Sequence, residues 1–436
     1  MVQSPRLIIS LSSQSLKLGG TVHKKAAAER EDSVSYDENQ PPDWHNRLDG
    51  WRSRLDSVCS VVNYSVRVPG CASVIELVLQ RSDASKDFRR TFDGRVEKGK
   101  TYMEYAQISG TKIRVSRVGL GTWAIGGWMW GGTDEQESIR TIHAAIEGGI
   151  SLIDTAPVYG FGRSEEIVGK AIAQYGHRDN VIIATKVALE WRDGSVYRNA
   201  SRQRIVQEIE DSLRRLQTSY IDIYQVHWPD PAVPIEETAG TMLQLYQQGK
   251  IRAIGVSNYS PQQMDLFRKV APLHTDQPPY NLFEREIDRD VLPYAREHNI
   301  STLVYGSLCR GLLSGSMKAH TRFTGDDLRK VDPKFRPPRY AQYLKAVERL
   351  DEYAREKYQK RVMDLAVRWA LDQPGVTAAL WGARHPAQLS AIANSDGWTL
   401  DAEARGEISR IVRESVTDPV GPEFMAPPER EIAVAS

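Results

Sequence analysis

Four side chains that can hold or move protons follow apolar, strand-like runs of the sequence: Asp154, Tyr159, Lys186 and His227. A tyrosine is a weak acid at neutral pH, because its ordinary pKa is about 10. A neighbouring lysine cation would lower that pKa, and an aspartate would hold the lysine charged and in place. Such a phenol can give a proton to a developing alkoxide, and an imidazole can orient the carbonyl oxygen by a hydrogen bond.

Each of these residues also has an ordinary structural explanation when it is taken alone. Asp154 could cap a helix or bind backbone, Lys186 could reach the rim of the fold, and His227 could be a buried histidine with satisfied hydrogen bonds. Together they form a set suited to carbonyl reduction. No side chain supplies a hydride, so this chemistry implies a nicotinamide cofactor.

Eight apolar, β-branched runs beyond Met103 alternate with amphipathic helical segments. This alternation predicts a parallel sheet, and eight repeats predict closure into a (β/α)8 TIM barrel, with a doubly wound open sheet as the alternative. The helical segments follow Asp134, Ser201 and Ser260–Pro261, which are typical start signals. The predicted strands are Val118–Thr122, Ser151–Asp154, Val181–Lys186, Tyr220–His227, Ile251–Asn258, His274–Gln277, Ile300–Gly306 and Val376–Gly382.

Two features lie outside the eight repeats. Glu104–Val118 is typical of a β-hairpin and is predicted to plug one end of the barrel. A long insertion, Met317–Gln373, precedes the last strand and begins with the charged loop Thr321–Pro338. Its second part predicts helices over Tyr340–Lys357 and Val362–Leu371. The chemistry of a barrel lies at the carboxyl ends of its strands, which is where the four proton-handling residues fall.

Composition excludes several classes of protein. The 436 residues carry 57 Lys and Arg against 56 Asp and Glu, which gives no electrostatic footprint for nucleic acid. No apolar run is long enough to span a membrane. Three cysteines, Cys59, Cys71 and Cys309, cannot form a disulfide framework, which favours a reducing, cytoplasmic setting. The strand ends offer only Asp154 and His227 as metal ligands, so a metal-dependent hydrolase is disfavoured and no metal is predicted.

Residues 1–102 differ from the rest of the chain. They show no sustained helical period and only scattered strand-like runs such as Val58–Val68 and Val74–Val78. Glu29–Asp43 is polar and contains a Pro-Pro pair, which is typical of a solvated linker, and basic Met1–Ala28 could alternatively be a transit peptide. We expect residues 1–102 to be a disordered or non-native extension and residues 103–436 to form the barrel domain.

Several motifs of the barrel region resemble the aldo-keto reductase superfamily. They are Gly119–Trp123, Asp154–Tyr159, Lys186, His227–Pro229, Gly255–Asn258 and Gly382–Arg384, and the resemblance covers nearly all of 103–428. Further segments resemble the bacterial branch that contains a general-stress NADPH-dependent reductase: Trp128–Gly132, Ser307–Leu313 and Pro419–Pro428. The resemblance implies NADPH-dependent, reversible reduction of aldehydes or ketones. The alternative is a redox-sensing regulatory subunit that binds the cofactor without turnover.

The resemblance also implies a role for each site residue. Tyr159 would be the acid and base, Asp154 and Lys186 its tuning pair, and His227 the residue that orients the carbonyl. At the nicotinamide end of NADPH, the implied contacts are Thr122, Trp123 and Asp154 at the ribose, and Ser257, Asn258 and Gln277 at the carboxamide, with Tyr305 stacked on the ring. Gly306, Ser307, Leu308, Cys309 and Arg310 would follow the pyrophosphate. Gly382, Ala383, Arg384 and Gln388 would hold the adenosine end.

Two points of the resemblance bear on selectivity. Arg384 would read the 2′-phosphate of NADPH, because a guanidinium makes paired, charge-assisted hydrogen bonds with phosphate. The alternative is that Arg384 is a solvated residue opening a helix over His385–Ala393. The branch pattern expects an asparagine at position 392, where this chain has Ile392, and Asn394 is not assigned a role. The substrate, beyond a small carbonyl compound, and the oligomeric state stay open.

Overall fold

The computed structural model describes residues 103–389, 391–395 and 397–430, together with the backbone of three strands nearer the amino terminus. Those strands are β1 (Ile9–Ser10), β2 (Val61–Arg67) and β3 (Val74–Gln80), which pair antiparallel in the order β1-β2-β3. They belong to a first unit, Met1–Lys100, separate from a second unit, Thr101–Ser436. The strand-like runs predicted near Val58–Val68 and Val74–Val78 correspond to β2 and β3. The predicted linker lies outside the described residues, and so does the predicted transit peptide apart from the two residues of β1.

The second unit is a closed barrel of eight parallel strands, which confirms the predicted (β/α)8 fold. Each predicted run contains one barrel strand or differs from it by one residue at each end. The barrel closes in the order β6-β7-β8-β11-β12-β13-β14-β15, with β15 pairing back to β6. The strands of this unit are β4 (Tyr105–Gln107), β5 (Arg114–Ser116), β6 (Val118–Gly121), β7 (Leu152–Asp154), β8 (Ile182–Val187), β9 (Leu189–Arg192), β10 (Ser195–Arg198), β11 (Ile223–Val226), β12 (Ile254–Ser257), β13 (Thr275–Gln277), β14 (Ser301–Val304) and β15 (Val376–Gly382).

Helices surround the barrel, and their first turns carry the predicted caps. The Asp134 side chain accepts a hydrogen bond from Glu137 N, and Ser260 forms a reciprocal capping box with Gln263. The helices are α1 (Trp123–Gly126), α2 (Glu135–Glu147), α3 (Arg163–Tyr175), α4 (Arg202–Leu216), α5 (Ile235–Gln247), α6 (Pro261–Arg268), α7 (Val291–Glu297), α8 (Arg339–Tyr358), α9 (Val362–Leu371) and α10 (Ala402–Ser415). Within the part of the chain that is described, no helix is long and apolar enough to cross a membrane.

The hairpin β4–β5 plugs the amino-terminal end of the barrel, as predicted. Its side chains Ile108, Ile113 and Val115 are buried in one apolar cluster with interior barrel residues such as Leu152 and Leu303. Ser109 N at the turn donates to Ser301 Oγ at the start of β14. The plug therefore closes the end opposite to the strand termini that carry the chemistry.

The sequence-based prediction misses two features on the carboxyl-terminal side. A second hairpin, β9–β10, follows β8 directly and was not predicted. The prediction of a helix over His385–Ala393 is wrong, because the chain forms two short 3₁₀ turns there, Pro386–Gln388 and Ile392–Ser395. The insertion before β15 is present, with α8 and α9 at the predicted positions and two 3₁₀ turns in its loop.

Candidate active site

The Lys186 ammonium group is the centre of the candidate site. Its Nζ donates to Asp154 Oδ1 at 2.6 Å, to the Thr155 carbonyl oxygen at 3.0 Å and to Tyr159 Oη at 3.2 Å. An ammonium group has three donors, so all of them are used. The lysine is fully buried, at 0% exposure. It is therefore held by partners, and the alternative in which it reaches the solvated rim does not apply.

A close backbone approach holds the Tyr159 loop. A Cβ on Gly126 would lie 2.5 Å from the backbone carbonyl of Tyr159, and Gly160 adopts a φ of +68°. Both positions exclude other residues on steric grounds. Helix α1 thus packs directly against the loop after β7, and this contact fixes the phenol over the barrel.

A pair of buried amides orients the Asp154 carboxylate. Gln277 Nε2 donates to Asp154 Oδ2 at 2.8 Å, and Gln225 Nε2 approaches the same oxygen at 3.5 Å. Sequence reasoning assigned Gln277 to the cofactor and gave Gln225 no role. The available signal was its position near the end of β11, where a fully buried amide needs a partner.

Burial dominates the acidity of the site. It raises the pKa of Tyr159 well above its ordinary value, and the Asp154 carboxylate adds to this rise. The net shift of the Tyr159 pKa is therefore opposite in direction to the lowering expected from Lys186, because desolvation of the phenolate is its largest cause. Burial also lowers the pKa of Lys186, against the opposing effect of Asp154. The pKa of His227 falls well below its ordinary value through burial and the Lys186 charge. Tyr159 is thus a neutral phenol and His227 a neutral imidazole at neutral pH.

Tyr159 and His227 face a cavity of about 310 Å³ at the carboxyl-terminal end of the barrel. Their rings meet edge to face with centroids 5.8 Å apart. No residue of the described part accepts a hydrogen bond from the Tyr159 hydroxyl or pairs with the His227 ring nitrogens. Both groups are therefore free to bind the oxygen of a compound in the cavity.

The walls of the cavity away from Tyr159 are mainly apolar. Trp123 lies parallel to the Tyr159 ring at 5.9 Å, and Trp128 lines the cavity beside it. Trp130 does not line the cavity; it packs against Trp123 edge to face. Further wall residues come from the hairpin β9–β10, the segment after β11, the insertion and the carboxyl-terminal tail: Leu189, Val196, Trp228, Leu328, Val331 and Phe424–Pro428.

The residues predicted to hold a nicotinamide carboxamide lie together on the opposite wall. Ser257 Oγ donates to the Gln277 carbonyl oxygen at 2.6 Å. Asn258 Nδ2 donates to the His227 carbonyl oxygen at 3.0 Å, and Tyr305 Oη donates to Asn258 Oδ1 at 2.9 Å. Gln277 uses its amide N–H on Asp154, which leaves its amide oxygen for another donor. Tyr305 presents its ring to the cavity, so the set fits a planar, amide-bearing ring.

The remaining predicted cofactor residues lie away from the cavity. Thr122 is fully buried, and its hydroxyl donates to the Asp154 carbonyl oxygen at 2.8 Å. Ser307 Oγ is buried with no hydrogen-bond partner among the described residues. It is an orphaned donor in the segment predicted to follow the pyrophosphate, Gly306–Arg310, which fits a phosphate neighbour.

The Arg310 guanidinium does not face the cofactor region. It forms buried ion pairs with Glu284 and with Asp332, the latter at 2.7 Å, and packs 5.5 Å from the Phe424 ring. Two carboxylates already neutralise this charge, so a phosphate beside this residue would meet its backbone. The assignment of Arg310 to the pyrophosphate stays a prediction.

The predicted adenosine-end residues follow β15. Gly382 is exposed, and Ala383 is buried behind it. Arg384 is half-buried, with Nη1 donating to the Trp130 carbonyl oxygen at 2.8 Å. Gln388 Oε1 accepts from Arg384 N at 2.7 Å. Among the described residues, one of the five Arg384 donors is used and the others have no hydrogen-bond acceptor. Across the described residues, no group of three or more His, Cys, Asp or Glu could hold a metal ion.

Comparisons with known proteins point to one family. The aldo/keto reductase family profile matches residues 117–413. Aldo-keto reductase YhdN of Bacillus subtilis is 64% identical over 329 residues, 76% of this chain and 99% of that protein. The NADH-specific methylglyoxal reductase of Escherichia coli is 36% identical, over 66% of this chain and 91% of its own length. The structure of glycerol dehydrogenase AKR11B4 from Gluconobacter oxydans matches with a TM-score of 0.68 and 52% identity, over 74% of this chain and 99% of that one.

Proposed function

Because the chain belongs to the aldo/keto reductase family and is an oxidoreductase of carbonyl compounds, we propose that it reduces aldehydes or ketones with NADPH, Tyr159 supplying the proton. One observation carries the proposal: Lys186 joins Asp154 to Tyr159 at the wall of a cavity that His227 also lines. The reverse reaction, oxidation of an alcohol, uses the same groups.

Each residue of the set has a separate task. The bound nicotinamide would supply the hydride, with Ser257, Asn258 and Tyr305 holding it. Neutral His227 donates a hydrogen bond to the substrate carbonyl oxygen and orients it. Tyr159 gives its phenolic proton to the developing alkoxide. Lys186 then stabilises the phenolate that remains, because its ammonium already points at Oη.

The choice of NADPH over NADH depends on Arg384 in this proposal. Its free guanidinium donors, after the one that binds Trp130, suit a phosphate group. The Escherichia coli relative is named as NADH-specific, so family membership alone does not give the choice. A reducing, cytoplasmic setting is part of the same proposal, and Cys309 is a free, buried thiol.

Names of two relatives suggest the first substrates to test. One relative is a methylglyoxal reductase and another a glycerol dehydrogenase, so three-carbon carbonyl compounds are the starting point, with aromatic aldehydes added because the cavity walls are apolar. The purified chain is mixed with each carbonyl and either NADPH or NADH, and the loss of reduced-nicotinamide absorbance is followed. Turnover with NADPH supports the proposal. Tight NADPH binding without turnover of any carbonyl would favour the regulatory alternative, which no observation favours at present.

A further inference from the structure

Arg198, at the end of β10, contacts three separate segments around the cavity. Its Nε donates to the Pro427 carbonyl oxygen at 2.9 Å, and its Nη1 donates to the Pro229 carbonyl oxygen at 3.2 Å. Its guanidinium also lies over the Trp228 ring, 5.5 Å from the centroid. In addition, Arg198 N donates to the Pro428 carbonyl oxygen at 3.1 Å. One residue thus joins the hairpin β9–β10, the segment after β11 and the carboxyl-terminal tail.

These three segments are the apolar walls of the cavity. The hairpin contributes Leu189 and Val196, the segment after β11 contributes Trp228, and the tail contributes Phe424–Pro428. The tail has no helix or strand of its own here beyond the single 3₁₀ turn Glu423–Met425. Its position over the cavity therefore depends on contacts with other segments.

Other segments also contact the tail along its length. Arg310 lies over the Phe424 ring and approaches Met425 Sδ at 3.8 Å, and Val420 N donates to Tyr343 Oη at 3.2 Å. Before the wall residues, Lys334 Nζ donates to the Gly421 carbonyl oxygen at 2.9 Å. After them, partly exposed Arg430 forms an ion pair with buried Asp230 at 3.6 Å. At the last part of the wall, the Arg198 side chain supplies the hydrogen bond to the Pro427 carbonyl oxygen, and its backbone N supplies the one to Pro428. The planar guanidinium fork can reach two carbonyl oxygens at once while it stacks on an indole, which a lysine cannot do.

We propose that Arg198 is a positioning residue that fixes the tail as the substrate-side wall and so sets the preference for carbonyl compounds with an apolar, ring-sized substituent. This rests on the proposed carbonyl reduction. A small carbonyl needs only Tyr159 and His227, whereas a larger apolar substrate also needs the wall that Phe424–Pro428 forms. Loss of the Arg198 side chain removes the bonds to Pro427 and Pro229 and loosens the wall there, while the backbone bond to Pro428 and the proton-handling groups stay in place.

The test compares Arg198→Ala and Arg198→Lys with Arg192→Ala, a control whose exposed side chain on the same hairpin makes none of these contacts. For Arg198→Ala, KM for 4-nitrobenzaldehyde is expected to rise about tenfold, the scale of a lost apolar pocket contact. KM for methylglyoxal, kcat for both and the NADPH Kd stay within about twofold. Arg198→Lys should resemble the alanine variant more than the wild type. An equal rise in KM for both aldehydes, or no rise for 4-nitrobenzaldehyde, overturns the proposal.

A second measurement separates this inference from the proposed function. Limited proteolysis with a non-specific protease, mapped by mass spectrometry, should cut Arg198→Ala within residues 419–430 faster than the wild type or Arg192→Ala. Equal cutting rates overturn the positioning role. If the wild type reduces no carbonyl, the proposed function fails, and the proteolysis still decides whether Arg198 holds the tail. A thermal midpoint near that of the wild type verifies that the variant is folded.

Discussion

Lys186 Nζ donates a hydrogen bond to Tyr159 Oη over 3.2 Å, and this leaves the phenolic hydrogen with no acceptor among the described residues. The other two ammonium donors go to Asp154 and to the Thr155 carbonyl oxygen, so the lysine cannot turn away. Burial and the Asp154 charge keep the pKa of Tyr159 high. The apoprotein thus holds a protonated phenol whose hydrogen is directed at the cavity, which is the state a carbonyl reduction begins from.

Removal of this hydrogen should stop the reaction and spare cofactor binding. General acid catalysis contributes ~10²–10⁴-fold, so we expect Tyr159→Phe to lower kcat by at least that order while the NADPH Kd changes little. Steady-state turnover assays measure kcat, and fluorescence titration measures the NADPH Kd. Tyr224→Phe is the matched control, because its buried hydroxyl has no hydrogen-bond partner in the described chain. Turnover by Tyr159→Phe within a few-fold of wild type would show that another group supplies the proton.

The apolar, β-branched runs were sufficient to predict the barrel, because the strands are largely buried and alternate with amphipathic helices, several of them capped at Asp134, Ser201 and Ser260. The same pattern located Asp154 and Lys186, since charged residues at the ends of such runs are conspicuous. The Arg310 burial could not be predicted, because its partners Glu284 and Asp332 are distant in sequence and meet only in the fold. The sign of the Tyr159 pKa shift needed the depth of burial, which a sequence does not give.

The hairpin β9–β10 was missed for a related reason. Leu189–Arg198 is short, mixed in polarity and directly continuous with β8, so it has no alternation that separates it from a loop. Its position depends on contacts with the tail, which lies more than two hundred residues further along the chain. Pocket walls made from such distant segments are the part of a site that sequence patterns predict least.

A chain that begins at Met103 is expected to fold and to reduce carbonyls as well as the full chain. Glu104 pairs with Arg117 at 3.1 Å and with Arg368 at 2.7 Å. The stabilising contacts of the barrel unit therefore begin at the residue after Met103, and the shortened chain keeps them. The comparison chain begins at Val118 and lacks the plug hairpin, which should cost much of the stability because Ile108 and Val115 leave the core. Thermal unfolding and turnover test both. An insoluble or inactive Met103 chain would show that the first unit is required.

Asp276 is a buried carboxyl group with no side-chain partner among the described residues, and the Gln277 backbone N–H is the one donor that favours its charged form. Burial raises its pKa from 3.8 to about 8. Its partner in the β13–β14 register is Thr302, whose buried Oγ1 also has no partner there. The folded state keeps the Asp276 proton where the unfolded chain releases it. Between these two pKa values the protein therefore loses stability as pH rises, by up to about 1.4 kcal/mol per pH unit.

Asp276→Asn should remove this dependence, because the amide keeps the shape and does not ionise. We expect the variant to be more stable than the wild type at pH 8, with the advantage shrinking toward pH 4. Denaturant unfolding at several pH values measures the free energy of unfolding. Thr302→Val serves as the control, since it removes a buried polar atom without a titration and should shift stability equally at all pH values. Parallel pH curves for Asp276→Asn and wild type would mean that Asp276 is ionised in the fold.

Cofactor choice gives the remaining prediction, which concerns Arg384. The residue follows β15, and its guanidinium is oriented by the Trp130 carbonyl oxygen at 2.8 Å, with most donors unused. A hydrogen bond to a charged group contributes about 1.5–3 kcal/mol. Arg384→Ala should therefore weaken NADPH binding by that amount and leave NADH nearly unchanged, because NADH has no 2′-phosphate to lose.

Dissociation constants for both cofactors, from quenching of the intrinsic tryptophan fluorescence, decide this point. NADH serves as the control within each protein, since loss of the Trp130 contact alone would weaken both cofactors together. Arg384→Lys adds a second comparison, because a lysine keeps the charge but not the planar fork. It should bind NADPH with an affinity between those of the wild type and the alanine variant. Equal losses for NADPH and NADH in Arg384→Ala would mean that the 2′-phosphate is read elsewhere.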